Sequence, residues 1–219
     1  MFNPFAYFFG KRIATYNSLL SGPLEVWKSR GKMILHSANA NYSYDGLHRV
    51  FQKVFQAIKL KNNPPKKVLL LGLGAGSVVS ILREELNIFC PIDAVEYDMM
   101  IIDIAGKHFN IQRFNNIVIH HADAYTFVQE VTGQYNLIVV DLFNDNVVPE
   151  RFFDNVFNTA LLNLLVDGRI VFNTIVNGKV SAQNFSTLNN FYNNIKGLSV
   201  QVLYPADDNR VLIVNKGLV

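Results

Sequence analysis

Apolar residues change their spacing along this chain, and each change marks a different kind of element. In residues 1–46, three short stretches rich in β-formers stand out: Arg12-Ile13-Ala14-Thr15-Tyr16, Leu24-Glu25-Val26-Trp27 and Lys32-Met33-Ile34-Leu35. Turn formers at Ser21-Gly22-Pro23 and Ser29-Arg30-Gly31 separate them, so the spacing predicts a small antiparallel sheet. Val50, Phe51, Val54, Phe55 and Ile58 then recur at helical intervals, and Asn62-Asn63-Pro64-Pro65 ends that helix.

From there, short apolar runs alternate with helical patterns. Strands are expected at 68–71, 92–95, 116–120, 136–140 and 169–172. Helices are expected through Val78 to Leu86, from Met99, over 124–131, from Phe152 to Leu165 and over 181–195. Strict alternation with continuous apolar strands means a parallel sheet covered on both faces. The last two runs, 198–204 and 211–214, flank the turn-type stretch Pro205-Ala206-Asp207-Asp208-Asn209. Five turn residues close a hairpin but cannot house a crossover helix, so these strands must be antiparallel. A mostly parallel, seven-stranded sheet with a C-terminal antiparallel strand is the Rossmann-like α/β architecture of S-adenosylmethionine-dependent methyltransferases. The expected units are a β module at 1–46, a linking helix and Pro-rich turn at 47–65, and the methyltransferase-like domain at 66–219.

Composition narrows the class. Half of the 219 residues are apolar, 17% are charged and the net charge is +3, which excludes a disordered chain. The single cysteine, Cys90, excludes an internal disulfide framework and any multi-cysteine zinc site. Twenty Lys/Arg are scattered against seventeen Asp/Glu, without the cationic stripe of a nucleic-acid binder. No apolar run reaches the roughly 20 residues of a membrane span. The expectation is a cytoplasmic protein with no nucleic-acid or membrane partner. Phe2, Phe5, Phe8 and Phe9 are expected to pack on the body of the protein or on a partner subunit.

The chemistry gathers at the strand ends. Gly72-Leu73-Gly74-Ala75-Gly76-Ser77 follows a strand and opens a helix, which suits close approach of a ligand to backbone N–H groups or a plain tight turn. Glu96 ends the next strand, where a carboxylate can accept from both ribose hydroxyls or merely be solvated. Asp123, in His120-His121-Ala122-Asp123-Ala124, can accept from the adenine amine or cap the helix from Ala124. Neighbouring His120 and His121 point to opposite strand faces, so no metal site is expected. Asp141 ends the fourth strand at the reactive end of such a site, where it can take a proton, hold a cationic amine or cap its loop. Asp145 reads as a loop residue.

These motifs resemble the spermidine synthase branch of the methyltransferase fold. Lys67-Val68-Leu69 with the glycine turn, Val95-Glu96-Tyr97-Asp98, 120–124 and 135–141 match the family's patterns, as do residues 31–43, with Asn41 where the family has Gln. The resemblance implies a nucleoside site of Gly72, Leu73, Gly74, Ala75, Gly76, Glu96, Tyr97, Asp123, Ala124, Asp141 and Asn41, with Asp141 catalytic. It implies S-adenosylmethionine or its decarboxylated form as cofactor, no metal, a small-molecule acceptor and a homo-oligomer built through the N-terminal module. The departures lie on the acceptor side. Ala75 replaces the acid that contacts the donor's amino tail, Asp45-Gly46-Leu47-His48-Arg49 shortens the amine-pocket motif, and Asp141-Leu142-Phe143-Asn144 loses the second acid of D-S-S-D. Read this way, the chain is expected to be a methyltransferase on an unidentified acceptor. Aminopropyl transfer is the alternative, and a non-catalytic scaffold on the same fold is a third reading.

Overall fold

Lys11–Ser18 (β1), Gly22–Ser29 (β2) and Lys32–Ser37 (β3) pair antiparallel in the order β1-β2-β3. This is the expected small sheet, seen in a computed structural model that describes residues 10–37, 46–144 and 147–217. Arg30 and Gly31 close the second hairpin with φ of 49° and 78°, the positive values that match strand twist in a two-residue turn. Leu24, Val26 and Leu35 are fully buried on one face and pack against Ala75, Ile101 and Ile104. Period-two alternation thus seats the module on the larger domain.

The linking helix, Gly46–Ala57 (α1), buries Val50, Phe51, Val54 and Phe55. Seven strands follow: Val68–Leu71 (β4), Ile92–Glu96 (β5), Ile117–His121 (β6), Tyr135–Val140 (β7), Leu165–Ile175 (β8), Leu198–Leu203 (β9) and Asn209–Lys216 (β10). Their order is β6-β5-β4-β7-β8-β10-β9. β4 to β8 run parallel, while β10 runs antiparallel to both β8 and β9. This is the architecture expected from the alternation and the short final turn. All four β4 side chains are fully buried because they feed two cores. Val68 and Leu70 pack with α1 residues, Leu69 and Leu71 with Phe157, Leu161 and Tyr192.

Helices cover both faces: Ser77–Ser80 (α2), Met99–Phe109 (α3), Ala124–Glu130 (α4), Asn155–Leu164 (α5) and Lys179–Asn193 (α6). Three differ from expectation. The helix after β4 widens at Ile81–Glu85, where Leu86 N–H reaches back five residues to the Ile81 carbonyl at 3.0 Å. The helix expected from Phe152 begins at Asn155, because Asp154 caps it by accepting from Phe157 N–H at 2.7 Å. Phe152 and Phe153 sit instead in a 3₁₀ turn, Glu150–Phe153, and Leu165 already belongs to β8. α6 starts and ends two residues earlier than expected, with Ser181 accepting from Gly178 N–H at 3.1 Å.

Candidate active site

The carboxyl ends of β4, β5, β7 and β8 surround a cavity of about 420 Å³, the place where open parallel sheets hold ligands. Gly72 makes its floor possible. Its φ is +93°, and a Cβ there would lie 2.2 Å from the Asp141 backbone oxygen. Asp141 N–H in turn donates to Leu71 O at 2.8 Å, so the ends of β4 and β7 touch. Glycine is required at this position for both conformation and space.

Glu96 is half-buried and gathers the turn around itself. Its Oε2 accepts from Gly74 N–H at 3.0 Å, and its Oε1 from Tyr97 N–H at 2.9 Å and Asp98 N–H at 3.0 Å. Burial pushes its carboxyl up, while the backbone donors of Asp98, Gly74 and Tyr97 pull the other way. Asp98 caps α3 through Met100 N–H at 2.9 Å. It also accepts from the hydroxyls of Ser18 and Ser21, the latter at 2.7 Å. The turn between β1 and β2 is thereby pinned to the cavity rim, and Leu20 and Ser21 form part of the wall.

Asp123 caps α4 through Tyr125 N–H at 2.8 Å, and its other oxygen pairs with Arg151 at 2.7 Å. The Arg151 guanidinium lies 4.8 Å from the Phe152 ring centroid. Among the described wall residues it is the only Lys or Arg. Burial first, and then the charge of Glu96, pushes Asp141 up to about 7, against a hydrogen bond from Asn173. That bond, Asn173 Nδ2 to Asp141 Oδ1, is 2.9 Å, and Asn209 Nδ2 donates to Asn173 Oδ1 at 2.9 Å.

The structure brings Gly72, Leu73, Gly74, Glu96, Tyr97, Asp123, Ala124 and Asp141 onto one cavity. Ala75 and Gly76 lie outside its wall. Ala75 is buried against Leu24, Val26 and Leu35, and Gly76 packs at Ile111. Asn41, Asp45, Asp145 and the N-terminal phenylalanines 2, 5, 8 and 9 lie outside the described residues. Sequence reasoning gave no site role to Arg151 or Asn173, read Ser21 and Asn209 only as turn residues, and named Asp98 only as the end of the Val95–Asp98 motif. Asn173 carried a signal as an amide inside an apolar strand run. His120 and His121 turn to different partners, Asp93 Oδ1 at 3.2 Å and Tyr97 O at 3.1 Å. Among the described residues, no cluster of His, Cys, Asp or Glu has the makings of a metal site.

The Spermine/spermidine synthase domain model matches residues 48–204, from α1 to just past β9. The chain belongs to this family. A polyamine aminopropyltransferase from Vibrio vulnificus (strain CMCP6) is 34% identical over 142 residues, covering 61% of this chain and 47% of that protein. A spermidine synthase solved with the transition-state analogue AdoDATO superposes with a TM-score of 0.72 at 14% identity, over 94% of this chain and 74% of that one. Human methyltransferase-like protein 13, solved with SAH, gives 0.61 at 20% identity, over 78% and 82%. The two structures share the fold. The chain spans less than half the length of the curated relatives it matches. No helix among the described residues is long and apolar enough to cross a membrane.

Proposed function

We propose that this member of the spermine/spermidine synthase family transfers an alkyl group from an adenosyl sulfonium to a small amine. Aminopropyl transfer from decarboxylated S-adenosylmethionine is the leading reading. The relatives favour it over the methyl transfer that the altered acceptor motifs suggested first. One observation carries the chemistry: Asp141 stands at the strand ends with a carboxyl pushed up to about 7. A group poised there can take a proton at neutral pH.

The described wall suits an adenosyl donor. Glu96 offers an acceptor for ribose hydroxyls, and Ser77, on the wall, has a buried hydroxyl with no hydrogen-bond partner among the described residues. When bound, such a donor supplies a carbon already activated for displacement, whose bonding electrons leave on sulfur as a neutral thioether. The Gly72–Gly74 stretch and Glu96 then seat the nucleoside, and Asp123 and Ala124 line the base. Asp141 receives the proton that the amine sheds as its lone pair forms the new bond. Catalysis by these residues is mainly positioning.

Methyl transfer is the second reading, favoured by a specific placement. Ala75 stands where the family resemblance calls for an acid, and it faces the N-terminal sheet rather than the cavity. The test supplies decarboxylated S-adenosylmethionine with putrescine and, separately, S-adenosylmethionine with the same amine. Methylthioadenosine from the first supports aminopropyl transfer; S-adenosylhomocysteine from the second alone supports methyl transfer. No product and no calorimetric binding of either donor would overturn both.

A further inference from the structure

A carboxylate only accepts hydrogen bonds, and that fact orients two asparagines behind Asp141. Facing an ionised Asp141, Asn173 must present its NH₂ to Oδ1, which turns its carbonyl toward Asn209. Asn209 must then present its own NH₂ to that carbonyl. Asn173 is fully buried, so no solvent offers an alternative partner. The three residues come from β10, β8 and the end of β7, and all three line the cavity. The reversed last strand is what brings Asn209 there, since its antiparallel register sets Asn209 opposite Ile175. Asp141 Oδ2 has no hydrogen-bond partner among the described residues.

We propose that Asn173, held by Asn209, is a positioning residue: it occupies Oδ1 of Asp141 and leaves Oδ2 as the oxygen that meets the acceptor amine. This rests on the reading of Asp141 as the proton acceptor. The wall groups that titrate or carry charge around it are Glu96, Tyr97 and Asp98 at the end of β5, Asp123 before α4 and Arg151 before α5. The described wall residues from α1, β8 and β10 are Leu47, Val50, Asn173, Ile175 and Asn209, none of them charged. The polar contact made to the Asp141 side chain itself is the amide.

The test reads the carboxyl directly by ¹³C NMR titration of the ligand-free chain, so its result does not depend on which transfer the protein performs. Asn173→Leu removes the donor and is expected to raise the Asp141 midpoint by about one pH unit, since the lost bond favoured the charged form. Asn173→Gln, which keeps an amide, should restore part of the shift. Asn209→Ala leaves Asn173 in place but frees its amide to rotate, and should move the midpoint in the same direction by less. Asn209 lies at the end of a hairpin, so this variant keeps the test open if the buried Asn173→Leu protein does not fold. An Asp141 midpoint unmoved in every folded variant would overturn the proposal. Where product formation is measurable, the acidic limb of the kcat profile should shift upward with the NMR midpoint.

Discussion

Substituting Gly72 by alanine imposes two separate costs that other glycines of this chain allow to be measured apart. At φ +93° a side-chain-bearing residue is strained, at about 1–2 kcal/mol. In addition, the new Cβ would fall 2.2 Å from the Asp141 carbonyl oxygen and 2.9 Å from its carbon. That backbone cannot swing aside freely, because Asp141 N–H is bonded to Leu71 O. The ends of β4 and β7 must separate, a form of overpacking worth about 1–3 kcal/mol. The sum is about 2–5 kcal/mol. Gly22 has φ +67° and nothing within 4 Å of its hypothetical Cβ, so Gly22→Ala pays only for conformation. Gly168 lacks a positive φ but would meet Asn136 O at 2.0 Å, so Gly168→Ala pays only for contact. At roughly 2–4 °C per kcal/mol for a chain of this size, Gly72→Ala should melt about 2–12 °C below Gly22→Ala in circular dichroism scans. It should also lose nucleoside affinity in calorimetry, because the displaced atom belongs to Asp141. If Gly72→Ala and Gly22→Ala melted together, the close approach of β4 to β7 would not be a constraint on this fold.

Asp141→Asn should gain stability relative to the parent as pH rises from about 4 to 7, and the gain should level above that, by urea denaturation at each pH. The folded carboxyl is pushed up to about 7; in that window the unfolded chain has released a proton the native chain keeps, so parental stability falls with pH. Equal pH profiles would contradict a strained Asp141. Glu96→Gln turns an amide toward three backbone N–H donors, and should weaken binding of methylthioadenosine by about 1–3 kcal/mol in calorimetry. An unchanged affinity would remove Glu96 from the nucleoside site. Asp123→Asn keeps a competent helix cap and loses only the half-exposed Arg151 pair. It should therefore stay within about 1 kcal/mol of the parent, whereas Asp123→Ala should cost about 0.5–2 kcal/mol more. Equal melts of the two variants would refute the cap.

Legibility along this chain follows the range of the interactions. Continuous apolar runs announced the buried strands, because a strand covered on both faces cannot alternate, and the five-residue final turn fixed the direction of β10. Local competition was harder to read. Phe152 and Phe153 fit a helical pattern as well as they fit the core, and the Asp154 cap decides between them. In the cavity, Gly72, Glu96, Asp123 and Asp141 announced themselves because each ends a strand. The partners of those acids did not. Asn209 meets Asn173 across 36 residues and Ser21 meets Asp98 across 77, and no local pattern encodes such a meeting. Arg151 had no signal at all: its role depends on where a loop returns.

The same long-range contacts change what counts as the functional unit. Sequence patterning separates residues 1–46 from the domain built on the seven-stranded sheet, and the family match begins only at residue 48. Yet Leu20 and Ser21 stand in the cavity wall, and Ser18 and Ser21 share the carboxylate that caps α3. Asp98 thus ties three things together: the start of the helix beside the turn, the backbone N–H given to Glu96, and the hairpin of the small sheet. The two glycine-turn residues that avoid the cavity support the same economy. Ala75 is buried among Leu24, Val26 and Leu35, so an acid seated as Ala75 is here would be placed in that apolar contact. The module is therefore a wall of the site as well as a neighbour of it. A change at Ala75 would act on the cavity through the seating of the hairpin, as well as through any charge it offered a ligand.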